Sequence, residues 1–380
     1  MGGQPANVRE LGACGNGLDD DFEVFQKALD KAGDILIPPG LYKIGGTLKI
    51  GSNTRLKAMP GAVMVLADDA CKAVGDFFLT NKNPGGGDTN ITVEGGVWNG
   101  NNKGNPRRGG LFAQDCYTGV MFNFINVRGL SLTGMKLCDA ESYFIRLGEV
   151  DGFTVCDIDF EAFHMRPNQD GVHLGGFCFH GEIENIRATM AGSTNDDVIA
   201  LNADDEVNRL VNLGMKRGPI EHIMVKNVSA ADCHTFVRLL SVHATISDIV
   251  IDGVTGGFRT YALNMDAARY CRTPLFKDAD EPLGVGDVRD VVIKNMSVHK
   301  TTDNDNSLVF IETNAESIRI EDFKRRRDLE PPNTAKSFEM GKMKPVQLLV
   351  DGDSVETPLF ERVTLDGDGY KSIVVKGTGV

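Results

Sequence analysis

The sequence has 380 residues, a formal net charge of −13 at pH 7 and a hydrophobic fraction of 41%. The negative charge argues against nucleic acid and anionic membrane surfaces as bulk partners, and no apolar stretch reaches the roughly 18 residues that span a membrane. The first residues lack the regions of a signal peptide, so we expect a cytoplasmic protein or a secreted one whose signal was removed. The eight cysteines lack zinc-site spacing and are expected to be buried free thiols.

The first predicted element is a short helix over residues 20–33. Asp20 or Asp21 can cap its start, and Gly33 ends it. Its apolar face consists of Phe22, Phe25 and Leu29. We interpret this helix as a cap over the first coil of a repeat fold, because a terminal coil would otherwise expose its core.

An apolar pattern at i, i+3, i+5 and i+8 recurs along the chain. Its copies start at Val127, Val150, Ile220, Ile246 and Val288, and weaker copies start at Ile183 and Ala315. The step from i+3 to i+5 is the period of a strand, and the offsets of three on either side predict bends. Residues that tolerate a left-handed backbone follow i+5 at several bends, namely Gly134, Asn227, Gly253 and Asn295.

A second short strand falls between consecutive copies, as in Val172-His173-Leu174 and Phe236-Val237-Arg238-Leu239. Two or three short strands per coil at irregular coil length predict an all-β fold, a single-stranded right-handed parallel β-helix. The sequence predicts one such domain over residues 1–380. Residues 324–346 interrupt the pattern and are predicted to form an irregular loop in which the run Arg325–Arg327 is solvated.

Three acidic residues lie where two of these second strands begin. Asp170 precedes Val172, and the pair Asp196-Asp197 precedes Val198. If the strands stack in register, Asp170 lies beside Asp197 at about 4.8 Å, and Asp196 adjoins both. Such carboxyls raise one another's pKa, and a glycosidase needs one protonated and one ionised carboxyl. An Asx turn explains a single Asp here, but three at one strand edge favour catalysis.

A polar row accompanies this cluster on the second strands. Its members are Arg146, His173, Arg238 and Asn264, with Ile199 between them. Because so many polar groups are costly to bury, we predict that this row faces a cleft and binds substrate. His234, before the third strand of the stack, and Asn168, beside the acidic cluster, are further candidate substrate-binding residues.

The motifs Asn168-Gln169-Asp170-Gly171 and Asn195-Asp196-Asp197-Val198 resemble the paired signature of glycoside hydrolase family 28, the polygalacturonases and their relatives. The resemblance extends over about residues 7–265. It implies a β-helical glycosidase that inverts configuration without a cofactor or metal. By motif, Asp196 would be the general acid and Asp170 and Asp197 would hold and activate water. Arg238 would bind substrate.

The sequence departs from that family in two places. The family's Gly-His-Gly segment is missing between Asp197 and Arg238, and His234 is a candidate replacement. Leu240 stands where the family has a Lys that contacts a substrate carboxylate, so Leu240→Lys is expected to improve turnover of a uronate. A neutral or mixed glycan is therefore at least as well suited as polygalacturonate.

Three functions remain open at this point. The leading one is hydrolysis of a polysaccharide or oligosaccharide, such as a pectin-like or cell-wall glycan. A β-helical polysaccharide lyase could use the same acidic residues to hold Ca²⁺. A catalytically inactive, glycan-binding β-helix, such as a spike or adhesin, is the third. The sequence identifies neither the sugar nor the oligomeric state.

Overall fold

The structure is a computed structural model that describes residues 4–269, 274–341 and 344–378. One α-helix, α1 (Phe22–Leu29), lies in these ranges, with short 3₁₀ helices at Leu210–Asn212, Asp278–Asp280 and Arg327–Leu329. None of the helices described is long and apolar enough to cross a membrane. Of the predicted buried thiols, Cys14 is instead exposed, and Cys271 lies outside the described residues.

Strands make up most of the fold. The first ten are β1 (Ala6–Asn7), β2 (Asn16–Asp20), β3 (Gly33–Ile37), β4 (Gly40–Ile44), β5 (Leu48–Ile50), β6 (Thr54–Ala58), β7 (Ala62–Leu66), β8 (Leu79–Asn81), β9 (Asp88–Glu94) and β10 (Val97–Asn99). The middle strands are β11 (Phe122–Cys138), β12 (Ile145–Glu161), β13 (Val172–Leu174), β14 (Cys178–Ala188), β15 (Asp197–Asn202), β16 (Ile220–Leu240), β17 (Thr245–Asp266), β18 (Asp287–Lys300) and β19 (Val309–Ile311). The last are β20 (Ala315–Arg325), β21 (Phe338–Met340), β22 (Val346–Val350), β23 (Asp353–Val355), β24 (Val363–Leu365) and β25 (Gly369–Gly377).

Each coil pairs in parallel with the next, so equivalent residues stack. The repeat predicts that its i+3 residues stack in one interior column, and the register and burial confirm this for Leu130, Phe153, Ile223, Ile249 and Val291. Gly181 occupies this column between Phe153 and Ile223. A Cβ at Gly181 would lie 2.1 Å from the ring of Phe153, so the ring fills the space that a side chain would take. The predicted all-β fold of stacked parallel strands is confirmed.

The bends between strands use the predicted residues. Asn227 and Asn295 have φ values of 54° and 57°, and Gly134 and Gly253 have values of 66° and 85°. In this left-handed region the conformational strain of an Asn is smaller than that of most residues, since its amide can hydrogen-bond locally. Asn227 donates from Nδ2 to Oδ1 of Asn185 at 3.0 Å, which links the bends of adjacent coils.

The N-terminal end is covered by α1, as predicted, although the helix is shorter than residues 20–33. Asp20 accepts a hydrogen bond from the backbone N–H of Phe22 at 3.0 Å, so it caps the first turn. Phe25 and Leu29 are buried, and the ring of Phe25 meets that of Tyr42 edge-on at 5.2 Å. The helix therefore presents its apolar face to the first coils.

The C-terminal end changes from parallel to antiparallel pairing. β25 runs antiparallel to β20 and β22, and β24 runs antiparallel to β21. The predicted loop over 324–346 is partly wrong, because β20 extends to Arg325 and β21 pairs with β19 inside it. Arg325 is also not solvated: its side chain is fully buried and donates to Glu330 at 2.7 Å.

Candidate functional site

Stacking of the second strands brings the three predicted carboxyls together. Val172 pairs with Ile199, so Asp170 falls beside Asp197 one coil further along. The backbone N–H of Gly171 donates to the carbonyl of Asp197 at 2.9 Å, which fixes this register up to the acidic residues. The parallel ladder itself therefore positions the cluster.

The cluster lies in a cavity of about 400 Å³. Seven of the nine predicted site residues line it, namely Asn168, Asp170, Asp196, Asp197, His234, Arg238 and Asn264. His173 and Arg146 do not. The cavity is also lined by residues that the sequence did not single out, among them Tyr143, Asn202, Asp205, Arg209 and Tyr261.

Asp170 and Asp197 are almost fully buried, whereas the side chain of Asp196 is 28% exposed to the cavity. Burial, and then the negative charge of Asp196, holds the pKa of Asp170 and that of Asp197 well above the usual range. Arg238 opposes both shifts. The cluster therefore retains a proton at pH values at which isolated Asp residues are ionised.

His173 belongs to the support of the cluster and not to the cavity wall, so its predicted contact with substrate is wrong. Its Nδ1 lies 2.6 Å from Oδ2 of Asp170, and its ring stacks on Tyr143 at 4.1 Å. Burial lowers the pKa of His173 to about 3, so the imidazole is neutral. A neutral Nδ1 can accept a hydrogen bond from the carboxyl proton that Asp170 retains.

Arg146 is likewise corrected, because it is buried and does not reach the cavity. Its Nε donates to Asn123 at 2.8 Å and one terminal nitrogen donates to the carbonyl of Val211 at 2.7 Å. The segment 203–219 lies over this part of the polar row and supplies that carbonyl. Burial lowers the pKa of Arg146 to about 10, which leaves it charged at neutral pH.

One member of the polar row differs from the prediction, and the other four are in the predicted register. His173 pairs with Ala200, and Ala200 pairs with Arg238, so Ala200 takes the place that was assigned to Ile199. Ile199 points into the apolar core. The row therefore reads Arg146, His173, Ala200, Arg238 and Asn264.

Arg238 lies between two carboxylates. It forms a two-pronged ion pair with Asp266, with both N–O distances at 3.1 Å, and its other terminal nitrogen is 3.9 Å from Asp197. This charge offsets part of the repulsion among the acidic residues. Two buried amides beside it, Asn202 and Asn264, leave Oδ1 without a hydrogen-bond partner in the described residues. Buried acceptors nearly always have a hydrogen-bond partner. We therefore expect these two oxygens to accept hydrogen bonds from hydroxyl groups of a ligand.

His234 and Asn168 both contact Asp196. Nδ1 of His234 is 3.8 Å from Asp196, and Asn168 donates from Nδ2 to Asp196 at 3.3 Å. Burial lowers the pKa of His234, and Asp196 opposes that shift. The two side chains restrict the position of the carboxyl that is most open to the cavity.

Three consecutive acidic residues, Asp204-Asp205-Glu206, are typical of a solvated loop, but Asp204 and Asp205 are buried. Asp204 accepts hydrogen bonds from three successive backbone N–H groups, those of residues 242–244. Burial raises the pKa of Asp205, but Arg238 and Arg209 outweigh it, so the net shift is downward. Asp205 lies three residues after the end of β15, in an irregular loop that carries no sequence signal of its burial.

The surroundings of Leu240 also differ from the expectation. It is fully buried in a small apolar cluster with Val242, Ala267, Ala268 and Val285. A lysine there would bury a charge instead of reaching a substrate carboxylate, so the expected gain from Leu240→Lys has no structural basis.

The same cluster also offers ligands for a metal ion. In the described ranges, Asp196, Asp197 and His234 offer ligand atoms within 4.8 Å of one another. Two carboxylates and one imidazole suit several divalent ions. The prediction that no metal is required stays a prediction.

The chain matches no family model. The pre-neck appendage protein of Bacillus phage B103 is 32% identical over 97 residues, which is 25% of this chain and 11% of that protein. The chain thus spans about a tenth of the length of this curated relative. The similarity is local, and it leaves most of both proteins unmatched.

Two solved structures resemble most of the stack of coils. The pre-mature phi29 gene product 12 has a TM-score of 0.62 at 15% identity, over 82% of this chain and 44% of that one. The family 28 exopolygalacturonase of Yersinia enterocolitica has a TM-score of 0.50 at 13% identity, over 90% of this chain and 80% of that one. At these identities the likeness shows the fold alone, so the resemblance to glycoside hydrolase family 28 is supported for the fold and not for membership.

Proposed function

We propose that this chain, wound as a right-handed parallel β-helix, binds a glycan in the cavity around Asp170, Asp196 and Asp197. Unpartnered amide oxygens, charged pairs and two tyrosines line that cavity. These groups match the hydroxyls and ring faces of a sugar. Glycan binding is the part of the proposal that all the functional alternatives share.

Hydrolysis of the bound glycan is the chemistry that the cluster supports best. The observation that carries it is the meeting of two buried carboxyls, which together retain a proton, with a third that faces the cavity. In this mechanism Asp196 protonates the leaving oxygen, and Asp197, ionised beside Arg238, activates water. Asp170 holds the retained proton and donates it in a hydrogen bond to His173.

The stereochemical outcome rests on the resemblance alone. Oxygens of Asp196 and Asp197 lie within 4.8 Å of each other. This is shorter than the roughly 6.5 Å that usually separates acid and base in inverting glycosidases. Proton NMR of the first product anomer would distinguish inversion from retention.

A second candidate is a glycan-binding segment of an appendage without catalysis. The local similarity to a phage pre-neck appendage protein favours it over an isolated enzyme. The two candidates differ in one observable property, since binding alone creates no new reducing ends. A Ca²⁺-dependent lyase is the remaining alternative, and it would release products that absorb ultraviolet light.

The decisive experiment incubates the protein with neutral, acetylated and uronate polysaccharides and measures binding, reducing ends and ultraviolet absorbance. Asp196→Asn should lower hydrolysis by at least about 10²-fold while binding is retained, because the amide keeps the shape but carries no acid proton. Asp34→Asn, an exposed position on β3, is the matched control and should change nothing. A chelator should have no effect on a hydrolase of this kind.

Each result separates the candidates. Full activity in Asp196→Asn would reject hydrolysis by this cluster. Tight glycan binding by the wild type without any cleavage would favour the appendage segment. Ultraviolet-absorbing products that disappear with a chelator would identify a lyase.

A further inference from the structure

A second cavity adjoins the first. Its volume is about 290 Å³, and it shares Asn168 and Arg209 with the 400 Å³ cavity. These two side chains form the boundary between the cavities, so the two cavities are direct neighbours. The second cavity has no part in the acidic cluster.

Two loops build this second cavity. Residues 100–121 and 203–219 meet over it, where the backbone N–H of Leu210 donates to the carbonyl of Leu111 at 2.7 Å. Gln114 ties the same loops together by donating from Nε2 to the carbonyl of Asn208 at 3.0 Å. The cavity therefore lies between two loops that are hydrogen-bonded to each other.

The walls of the second cavity are unlike those of the first. Apolar side chains provide much of them, namely Leu111, Pro167, Leu210 and Val211. Leu111 is 59% exposed, so its side chain is accessible to a ligand. Sugar hydroxyls can pair with the polar side chains of the lining, namely Arg107, Glu141, Asn168 and Arg209, but against the apolar part they would stay unpaired, which is costly.

The charged groups at the rim are already compensated. Arg107 is 3.6 Å from Glu141, and Arg209 is 3.8 Å from Asp205. The cavity therefore adds no excess positive charge that would select a uronate or a sulfate. A neutral substituent with a methyl group and one carbonyl acceptor suits these walls, since the methyl packs against leucine and the carbonyl accepts from an arginine at the rim.

We propose that the second cavity is the subsite for the sugar next to the acidic cluster and that it selects a 2-acetamido sugar. This inference rests on the proposed glycan binding and adds the class of sugar. The apolar walls take the acetyl methyl group, and the boundary with the first cavity keeps the sugar linked to the one at the carboxyls.

Ligand-observed NMR with monosaccharides tests this without knowledge of the natural linkage. The probes are the 2-acetamido forms of glucose, galactose and mannose, each compared with its parent hexose. At least one acetamido sugar should bind more tightly than its parent, with the strongest saturation transfer on the acetyl methyl protons. Equal binding of all three pairs would overturn the acetamido subsite while leaving glycan binding intact.

Gly110→Phe is the matched blocking variant. Gly110 lines the second cavity, has no positive φ and has open space where a Cβ would stand, so a phenylalanine is accommodated at the cavity wall without backbone strain. It should weaken binding of the acetamido sugar about fourfold or more, the factor expected when one buried methyl contact is lost. Gly85→Phe, equally open but remote from both cavities, should have no effect.

Leu111→Ser is a second test variant for the case in which Gly110→Phe does not fold. An exposed leucine can be replaced by serine without loss of the fold. It should reduce the same methyl signal. Retention of the full methyl signal in both folded variants would overturn the inference. Failure of the wild type to bind any monosaccharide or polysaccharide would instead reject the proposed function, and this inference with it.

Discussion

The interior column and the polar row are built by the same coils, and they differ in what covers them. In the interior column, each apolar side chain packs on its equivalent one coil away, so stacking alone supplies its partners. In the polar row, stacking sets only the position. The segment 203–219 covers Arg146 and His173, whereas Arg238 and Asn264 line the cavity. The loops therefore decide which members of a repeated row can meet a ligand.

The two regions also depend on different energies. A buried apolar side chain is stabilised in proportion to the area it removes from water. A buried charge is tolerated only with a partner, and losing the partner costs more than the pair contributed. We therefore expect single substitutions in the polar row to be at least as damaging as those in the core.

Arg238→Met should have the largest effect on stability. It leaves the buried carboxylate of Asp266 without its two-pronged partner and removes the charge beside Asp197. The expected loss in the free energy of unfolding is about 3–5 kcal/mol, measured by denaturant titration.

The double variant Arg238→Met/Asp266→Leu is the control for this prediction. Because it removes both charges of the pair, most of the lost stability should return. A double variant as unstable as Arg238→Met would show that the guanidinium acts through other contacts, and the contrast between row and core would need revision.

Ile223→Ala tests the interior column directly. Ile223 is buried between Gly181 and Ile249, and truncation leaves a cavity that the coils cannot close. The free energy of unfolding should fall by about 2–5 kcal/mol. Met224→Ala is the matched control, since Met224 follows on the same strand but is 36% exposed and should change stability far less. Equal losses would contradict the assignment of the two faces.

The sequence predicted the interior column well because its physics is local and repeated. The offsets of three and two recur wherever a strand bends, and the bend residues have the expected left-handed backbone. The copy assigned to Ile183 was misplaced, since the coil starts at Cys178 and its second apolar position is Gly181. A search for apolar residues passes over Gly181, because the space of its missing side chain is filled by Phe153 of the preceding coil.

The candidate site was predictable only in part, for a related reason. The acidic residues follow from strand register, which the sequence nearly determines. The covering of Arg146 by the carbonyl of Val211, and the recruitment of Asp205, depend on how one irregular loop folds back. Such loops carry no period, so neither burial nor partners can be deduced from spacing.

The pH dependence of stability tests whether His173 is a buried partner or a cavity residue. Its pKa is lowered from 6.5 to about 3 in the folded state, so the unfolded chain binds more protons between those values. Its contribution to stability is therefore lost as the pH falls below about 6.5, by about 2 kcal/mol between pH 7 and pH 5. Asp170 and Asp197, with raised pKa values, contribute in the opposite direction.

The difference between wild type and His173→Gln isolates this contribution. The glutamine cannot titrate and keeps an acceptor for Asp170, so the variant should lose less stability than the wild type on acidification from pH 7 to pH 5. Thermal unfolding at both pH values provides the measurement. Parallel pH profiles would show that His173 is solvated.

The smallest effect on stability is expected at the bends between strands. Asn227 has a φ of 54° and donates to Asn185 of the adjacent coil at 3.0 Å. Asn227→Ala should cost about 1–2 kcal/mol, because alanine adopts the left-handed region poorly and cannot make the hydrogen bond. Asn227→Gly separates the two causes, since glycine accepts the backbone and lacks only the side chain. If thermal unfolding shows glycine as unstable as alanine, the amide ladder and not the backbone holds the bend; if glycine matches the wild type, backbone conformation alone sets the cost.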